Sequence, residues 1–168
     1  MGGKYVGRGE GVVKKYFQYL KIVLVLLLLV FVILDLKGED ISSAKLEDVA
    51  GAVVKAADIS EKPAENRMIK RFYGLNPKDF EGAVLYAPTD NMDANELFIV
   101  RLSDMSQSQA VEEAIEERLQ TQKKSFEGYG AEQTKLLNDH ILQVKGNYIF
   151  YMVGENASKA EKAFLNNL

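Results

Sequence analysis

Thirteen consecutive apolar residues, IVLVLLLLVFVIL at 22–34, constrain this chain more than any other feature. A helix that is apolar all round has no face to offer to water, so it must be covered by protein or by lipid. Thirteen helical residues reach about 20 Å, short of a hydrocarbon core of about 30 Å. Extension to 17–36 restores the length and takes in Lys21 and Asp35, each near an end, where Lys can snorkel to the headgroups. Each central Leu, Ile, Val or Phe favours insertion by about 0.3–0.6 kcal/mol, together about 4–8 kcal/mol. A charge near an end costs less than the roughly 2.5–3.5 kcal/mol it costs at the centre. The expectation is therefore one membrane crossing at 17–36, with Tyr16, Phe17 and Tyr19 as an aromatic belt on the entry side.

The flanks set the orientation. Before the run stand Lys4, Arg8, Lys14, Lys15 and Lys21 against the single Glu10, which keeps the N-terminus cytoplasmic under the positive-inside rule. Residues 38–168 carry 15 Lys or Arg against 22 Asp or Glu, an acidic portion expected outside the cytoplasm. A nucleic-acid partner would need a basic face, and this composition argues against one. A cleaved signal peptide is the rival reading, and it needs small residues just beyond the apolar run. Asp35, Lys37, Glu39 and Asp40 stand there instead, and Ser42, Ser43 and Ala44 come too late, so the run reads as an uncleaved signal anchor. The absence of Cys excludes a lipid anchor on Cys, disulfides, thiolate nucleophiles and Cys-based metal sites. The chain thus divides into a basic cytoplasmic tail (1–16), a single-pass transmembrane helix (17–36), a linker (37–45) and an extracytoplasmic domain (46–168), which is long enough for one ordinary core.

Within that domain, Ser42 or Ser43 is placed to cap a helix ending near Ala57, with Leu46, Val49, Ala50, Val53 and Val54 in one stripe. A short helix follows at 67–73, stopped by Gly74. Strands are expected at 82–87 and 96–102, the second apolar on both faces and so central or covered. Ser106 and Gln109 have capping-box spacing and open a long helix with Val111, Ile115, Leu119, Gln122 and Phe126 in register. A helix at 132–138 leads to strands at 141–145 and 148–153 around the tight turn Gly146-Asn147, and a helix from 157 ends the chain. The two strand–strand–helix stretches echo each other weakly, as any hairpin followed by a helix would. The expected fold is α+β: an N-terminal single transmembrane helix, then a four-stranded, mostly antiparallel sheet with helices packed on one face.

Chemical motifs are sparse. His140, the only histidine, lies beside Asp139 with no second ligand at a useful spacing, so a triad or a His-containing metal site has little to build on. There is no G-x-S-x-G, Walker or dinucleotide fingerprint, and Asp90-Asn91-Met92-Asp93 lacks the glycine and terminal Glu of a calcium loop. Asn156, Ala157 and Ser158 fit the glycosylation pattern, which matters only in a eukaryotic secretory route. No catalytic residue, cofactor site or metal site is expected. Glu112 and Glu116, with Glu113 and Glu117, read as an exposed acidic helix face. Together with Tyr129, Tyr148 and Tyr151, aromatics able to stack on a sugar or a partner, Glu112 and Glu116 are the candidate partner-facing residues.

The succession RFYGLNPKDFEG, NELFIVRLSD, Arg118 and Gln122 as R-x-x-x-Q with Phe126 and Tyr129, then GNYIFYMVGEN, resembles an uncharacterised Firmicute family catalogued as domain of unknown function 4358. The resemblance covers residues from about 46 to the C-terminus. It implies a bacterial cell-envelope protein with no assigned activity and no known site residues. Many relatives are lipoproteins; this chain lacks the lipobox Cys, which leaves the apolar helix to anchor it. The family also implies a helper role beside O-acyltransferase-type membrane proteins that modify an exported polysaccharide. Three functions are carried forward: a membrane-anchored binding or accessory protein, a carboxylate-dependent surface hydrolase or transferase with His140 or a Ser assisting, and a sensor of a small extracellular ligand.

Overall fold

The computed structural model describes residues 10–35 and 41–168, with side chains for 15–30 and 41–168. Lys4, Arg8, Lys37 and the rest of 1–9 and 36–40 lie outside the described residues, and so do parts of the expected tail and linker. The chain divides into two units, 1–38 and 39–168.

The first unit holds helix α1, Glu10–Asp35. Among the described residues, no helix is long and apolar enough to cross a membrane. The side chains described on α1 run from Lys15 to Val30, a segment of sixteen residues, or about 24 Å at the usual rise. The expected crossing at 17–36 runs beyond them.

The second unit is built on a sheet of β1 (Gly82–Tyr86), β2 (Glu96–Arg101), β3 (Ile141–Lys145) and β4 (Tyr148–Val153). The order is β1-β2-β4-β3, every neighbouring pair antiparallel. Two hairpins thus meet through their second strands. Helices α2 (Leu46–Ala57), α3 (Asn66–Tyr73), α4 (Ser108–Phe126), α5 (Ala131–Asn138) and α6 (Ala157–Asn166) complete it.

The helices cover both faces of the sheet, not one. Period-two alternation sends Leu97 and Ile99 of β2 with Tyr148, Phe150 and Met152 of β4 to one side, where Val49, Val53, Ala160 and Phe164 of α2 and α6 meet them. Phe98 and Val100 with Ile149, Tyr151 and Val153 go to the other side, against Ile69, Tyr73, Val111, Ile115, Leu119 and Leu137 of α3, α4 and α5. The cause lies in the two central strands, which are apolar on both sides and need two layers to bury them. Each fully buried Leu, Ile or Phe contributes about 1.5–3 kcal/mol, so neither layer is dispensable. Phe150 stacks on Phe164, ring centroids 5.1 Å apart. The helices that follow the two hairpins, α4 and α6, lie on opposite faces. The echo in the sequence therefore ends at the strands.

Local chemistry shifts two helix starts. Neither Ser42 nor Ser43 caps α2; Lys45 occupies the N-cap without a side-chain bond. The Ser42 N–H instead donates to Asn147 Oδ1 at 2.9 Å, and Tyr148 donates its hydroxyl to the Ala44 carbonyl at 2.8 Å, tying the lead-in segment to the β3–β4 turn. Ahead of α4 the capping box is Asp104 with Gln107, not Ser106 with Gln109, and it opens a 3-10 turn, Met105–Gln107. Gly74 ends α3 at φ 68°, a backbone that a side chain would strain.

Candidate functional site

The most constrained polar group in the second unit is the Glu96 carboxylate. Glu96 opens β2 opposite Val153 of β4, and its side chain is fully buried. An isolated buried carboxylate is prohibitively costly, so donors must converge on it. Tyr73, the last residue of α3, donates its hydroxyl to Oε1. Arg118 on α4 donates from Nε at 3.3 and 3.2 Å to Oε1 and Oε2, and from Nη2 at 2.7 Å to Oε2. Gln122, one turn further along α4, donates from Nε2 to Oε2 at 3.2 Å. Spacing of four residues puts Arg118 and Gln122 on one face of the helix, which explains the R-x-x-x-Q pattern.

Ring contacts fix the donors in turn. The Arg118 guanidinium lies over the Phe72 ring, 4.1 Å from its centroid. Tyr73 stacks on Phe98, centroids 4.3 Å apart. Burial pushes the Tyr73 phenol well above its ordinary pKa, and the Glu96 charge adds to that. Tyr151 is raised chiefly by burial too, then by Glu96. Two buried polar atoms beside this cluster have no partner: Gln122 Oε1 and Tyr151 Oη. The Gln122 orientation follows from chemistry, because a carboxylate accepts only and must face the amide nitrogen, which turns Oε1 away.

Two cavities flank the cluster. A groove of about 800 Å³ between α3 and α4 is lined by Tyr73, Arg118 and Gln122, with Phe72, Ser125 and Tyr129 among its other walls. A second, of about 460 Å³, has Glu96 in its lining and is ringed by Asp58, Glu61, Asp93, Glu132 and Glu155. Thr89 and Asp93 border both. Partial burial pushes Asp93 up, but hydrogen bonds from Asn95 and Thr89 outweigh it and hold the carboxyl below its usual pKa. Among the described residues, no three His, Asp or Glu converge so as to hold a metal ion.

The residues expected to face a partner do not form one surface. Tyr129 is exposed at the groove, in the turn after α4, 6.1 Å from the Phe126 ring. Tyr148 and Tyr151 are fully buried on opposite faces of the sheet, because neighbouring sheet positions of β4 alternate between two covered sides; neither can stack on a ligand at the surface. Glu112 accepts the Ser108 hydroxyl at 2.7 Å and Glu116 is exposed; Glu117, not these two, lines the groove. His140 donates Nδ1–H to the Leu137 carbonyl at 2.9 Å.

Glu96 and Tyr73 escape a reading by local pattern, since their partners lie 22 to 26 residues away in sequence. One signal pointed to them: Gln122 occupies a buried slot in an otherwise apolar helical stripe, and a buried amide needs a partner.

The arrangement holds Arg118 and Gln122 rigidly at a groove wall. It leaves the carboxylate engaged on both oxygens. No curated protein and no solved structure matches this chain. The family model described as Domain of unknown function (DUF4358) matches residues 54–154, which hold the whole sheet, α3 to α5 and every residue of the Glu96 cluster. That match spans more than half of the chain, and the protein belongs to the DUF4358 family.

Proposed function

We propose that this protein is a membrane-tethered binding or accessory domain of a bacterial cell envelope. Its apolar segment at 17–36 crosses the bilayer once with the N-terminus in the cytoplasm, and the α+β unit stands outside with the α3–α4 groove as its docking face. The observation that carries the binding reading is the saturation of Glu96. Among the described residues Glu96 is the one buried acid, and both its oxygens are spent on Tyr73, Arg118 and Gln122, which suits recognition at a groove wall, whereas a carboxylate hydrolase or transferase needs an acid open to its substrate. The tether is supported by the continuous apolar sequence at 22–34 and by the exposure of every described large apolar side chain of α1, from Tyr16 to Val30. A surface of that kind needs lipid or protein over it. The partner in this reading is a membrane or cell-surface protein, of which an O-acyltransferase-type complex is one.

Crosslinking in native membranes followed by pull-down tests it. The full-length chain should capture a membrane partner that a version retaining only residues 1–45 does not. Identical captures from both would reject the docking role. Protease added to protoplasts should digest residues 46–168; full protection would reject the orientation.

A further inference from the structure

We infer that the α3–α4 groove binds a neutral, hydroxyl-rich ligand, a saccharide chain, held by hydrogen bonds to α4 and by stacking on Tyr129; this deepens the binding role proposed above and rests on it. The starting point is Gln122. The residue is only 4% exposed, it lines the groove, and its Oε1 has no partner. A buried acceptor left unpaired costs free energy that a ligand donor restores.

The groove wall around it has the same polarity. Thr121 donates its hydroxyl to the Glu117 carbonyl at 2.9 Å, and Ser125 donates its own to the Thr121 carbonyl at 2.9 Å. Both hydroxyl protons are directed into the helix backbone, which leaves the oxygens as acceptors. Thr121 and Ser125 therefore present acceptors about one helical turn apart, about 5.4 Å, close to the length of one pyranose unit, with the buried Gln122 side chain next to them in the groove lining. Such acceptors ask for donors, and sugar hydroxyls supply them in series.

Charge narrows the class. Arg71 and Arg118 are the groove's cations, and Arg118 is already paired with Glu96. Asp90, Asp93 and Glu117 stand on the same lining, so an anionic ligand meets net repulsion. Tyr129, 63% exposed beside these acceptors, offers the flat aromatic face on which the C–H side of a sugar ring packs. An extended peptide turns successive residues to opposite sides, so it offers a single row of acceptors fewer donors than a chain of sugar hydroxyls does.

The test uses the full-length chain in lipid nanodiscs, titrated with cellohexaose, maltohexaose and chitohexaose and followed by saturation-transfer NMR. At least one should bind. Tyr129→Ala and Ser125→Ala, both at exposed positions, should each weaken that binding about tenfold without moving the melting temperature. Gln122→Met should abolish it, with circular dichroism reporting whether the fold is kept. The inference is overturned if none of the three hexasaccharides binds, if binding survives Tyr129→Ala and Ser125→Ala, or if a Lys-Ala-Gly hexapeptide binds in their place with the same Tyr129 dependence. Should the saccharides fail while the crosslinked membrane partner is still captured, the docking role stands and only the ligand class falls.

Discussion

Arg118 Nη2 approaches Glu96 Oε2 at 2.7 Å, joining the middle of α4 to the first residue of β2, and the two ends of this pair differ in their access to water. The Glu96 side chain is fully buried while that of Arg118 keeps 15% of its exposure. Removing either partner leaves a charge uncompensated, which costs about 3–5 kcal/mol when that charge is buried. The asymmetry makes the order predictable. Arg118→Met, which strands the fully buried carboxylate, should cost more than Glu96→Gln, which leaves a guanidinium able to reach water and to stay over Phe72. Urea denaturation of both variants checks this; equal losses, or the reverse order, would show that the pair is not held as described.

Tyr73 and Tyr151 form a second contrast. Both hydroxyls are buried beside Glu96, but only that of Tyr73 donates to it. Tyr73→Phe keeps the ring stack on Phe98 and removes a hydrogen bond to a charged group, for a loss of about 1.5–3 kcal/mol. Tyr151→Phe removes a hydroxyl without a partner and should be neutral or stabilising. A loss at Tyr151 as large as that at Tyr73 would mean that its hydroxyl is engaged.

Much of the fold was legible in the sequence, and the parts that were not share one physical character. The second hairpin was readable because Gly146-Asn147 interrupts two short apolar runs, and β3 and β4 occupy 141–145 and 148–153 as expected. Gly74 and the stripe of α4 were readable for the same reason: local periodicity and backbone preference decide them. The side of the sheet on which each helix lands is not local. Val49 and Phe164 go to one face and Ile69 and Ile115 to the other, yet all four sit in similar amphipathic stripes. Glu96 was equally hidden, because an acid at the head of the strand ELFIVR looks like an exposed strand end until Tyr73, Arg118 and Gln122 are brought to it by the packing of α3 and α4. Tyr148 and Tyr151 were misplaced at a surface for a related reason, since a residue on a doubly covered central strand has no solvent side, whereas Tyr129, in a turn, is exposed.

Alkaline pH should unfold this domain early. The Tyr73 phenol has a folded pKa raised by burial and by the Glu96 charge, and that of Tyr151 is raised mainly by burial. A raised folded pKa means that the native state holds its proton when the unfolded chain has lost it. The stabilisation is therefore full below the unfolded value of about 10 and falls as pH rises above it, by up to about 1.4 kcal/mol per pH unit for each such group. Stability measured between about pH 9 and 11.5 should drop steeply, and Tyr73→Phe should flatten that slope. An unchanged slope in the variant would show that Tyr73 already ionises in the folded protein.

The two-layer packing predicts that α6 is indispensable although it lies outside the stretch matched to the family. Phe164 is fully buried, stacks on Phe150 and meets Tyr148 edge-on at 6.2 Å between ring centroids. Phe164→Ala should cost about 3–5 kcal/mol, the usual loss for a buried aromatic. Leu165→Ala, one position along at an exposed site, should change stability by less than about 0.5 kcal/mol. If α6 only rested on a sheet already covered from the other side, the two substitutions would cost about the same. Deleting residues 157–168 extends the test, since it uncovers Tyr148 and Phe150 together; the truncated chain should bind a hydrophobic dye and lose its cooperative melt, and a sharp melt at the native temperature would show that α2 alone suffices on that face.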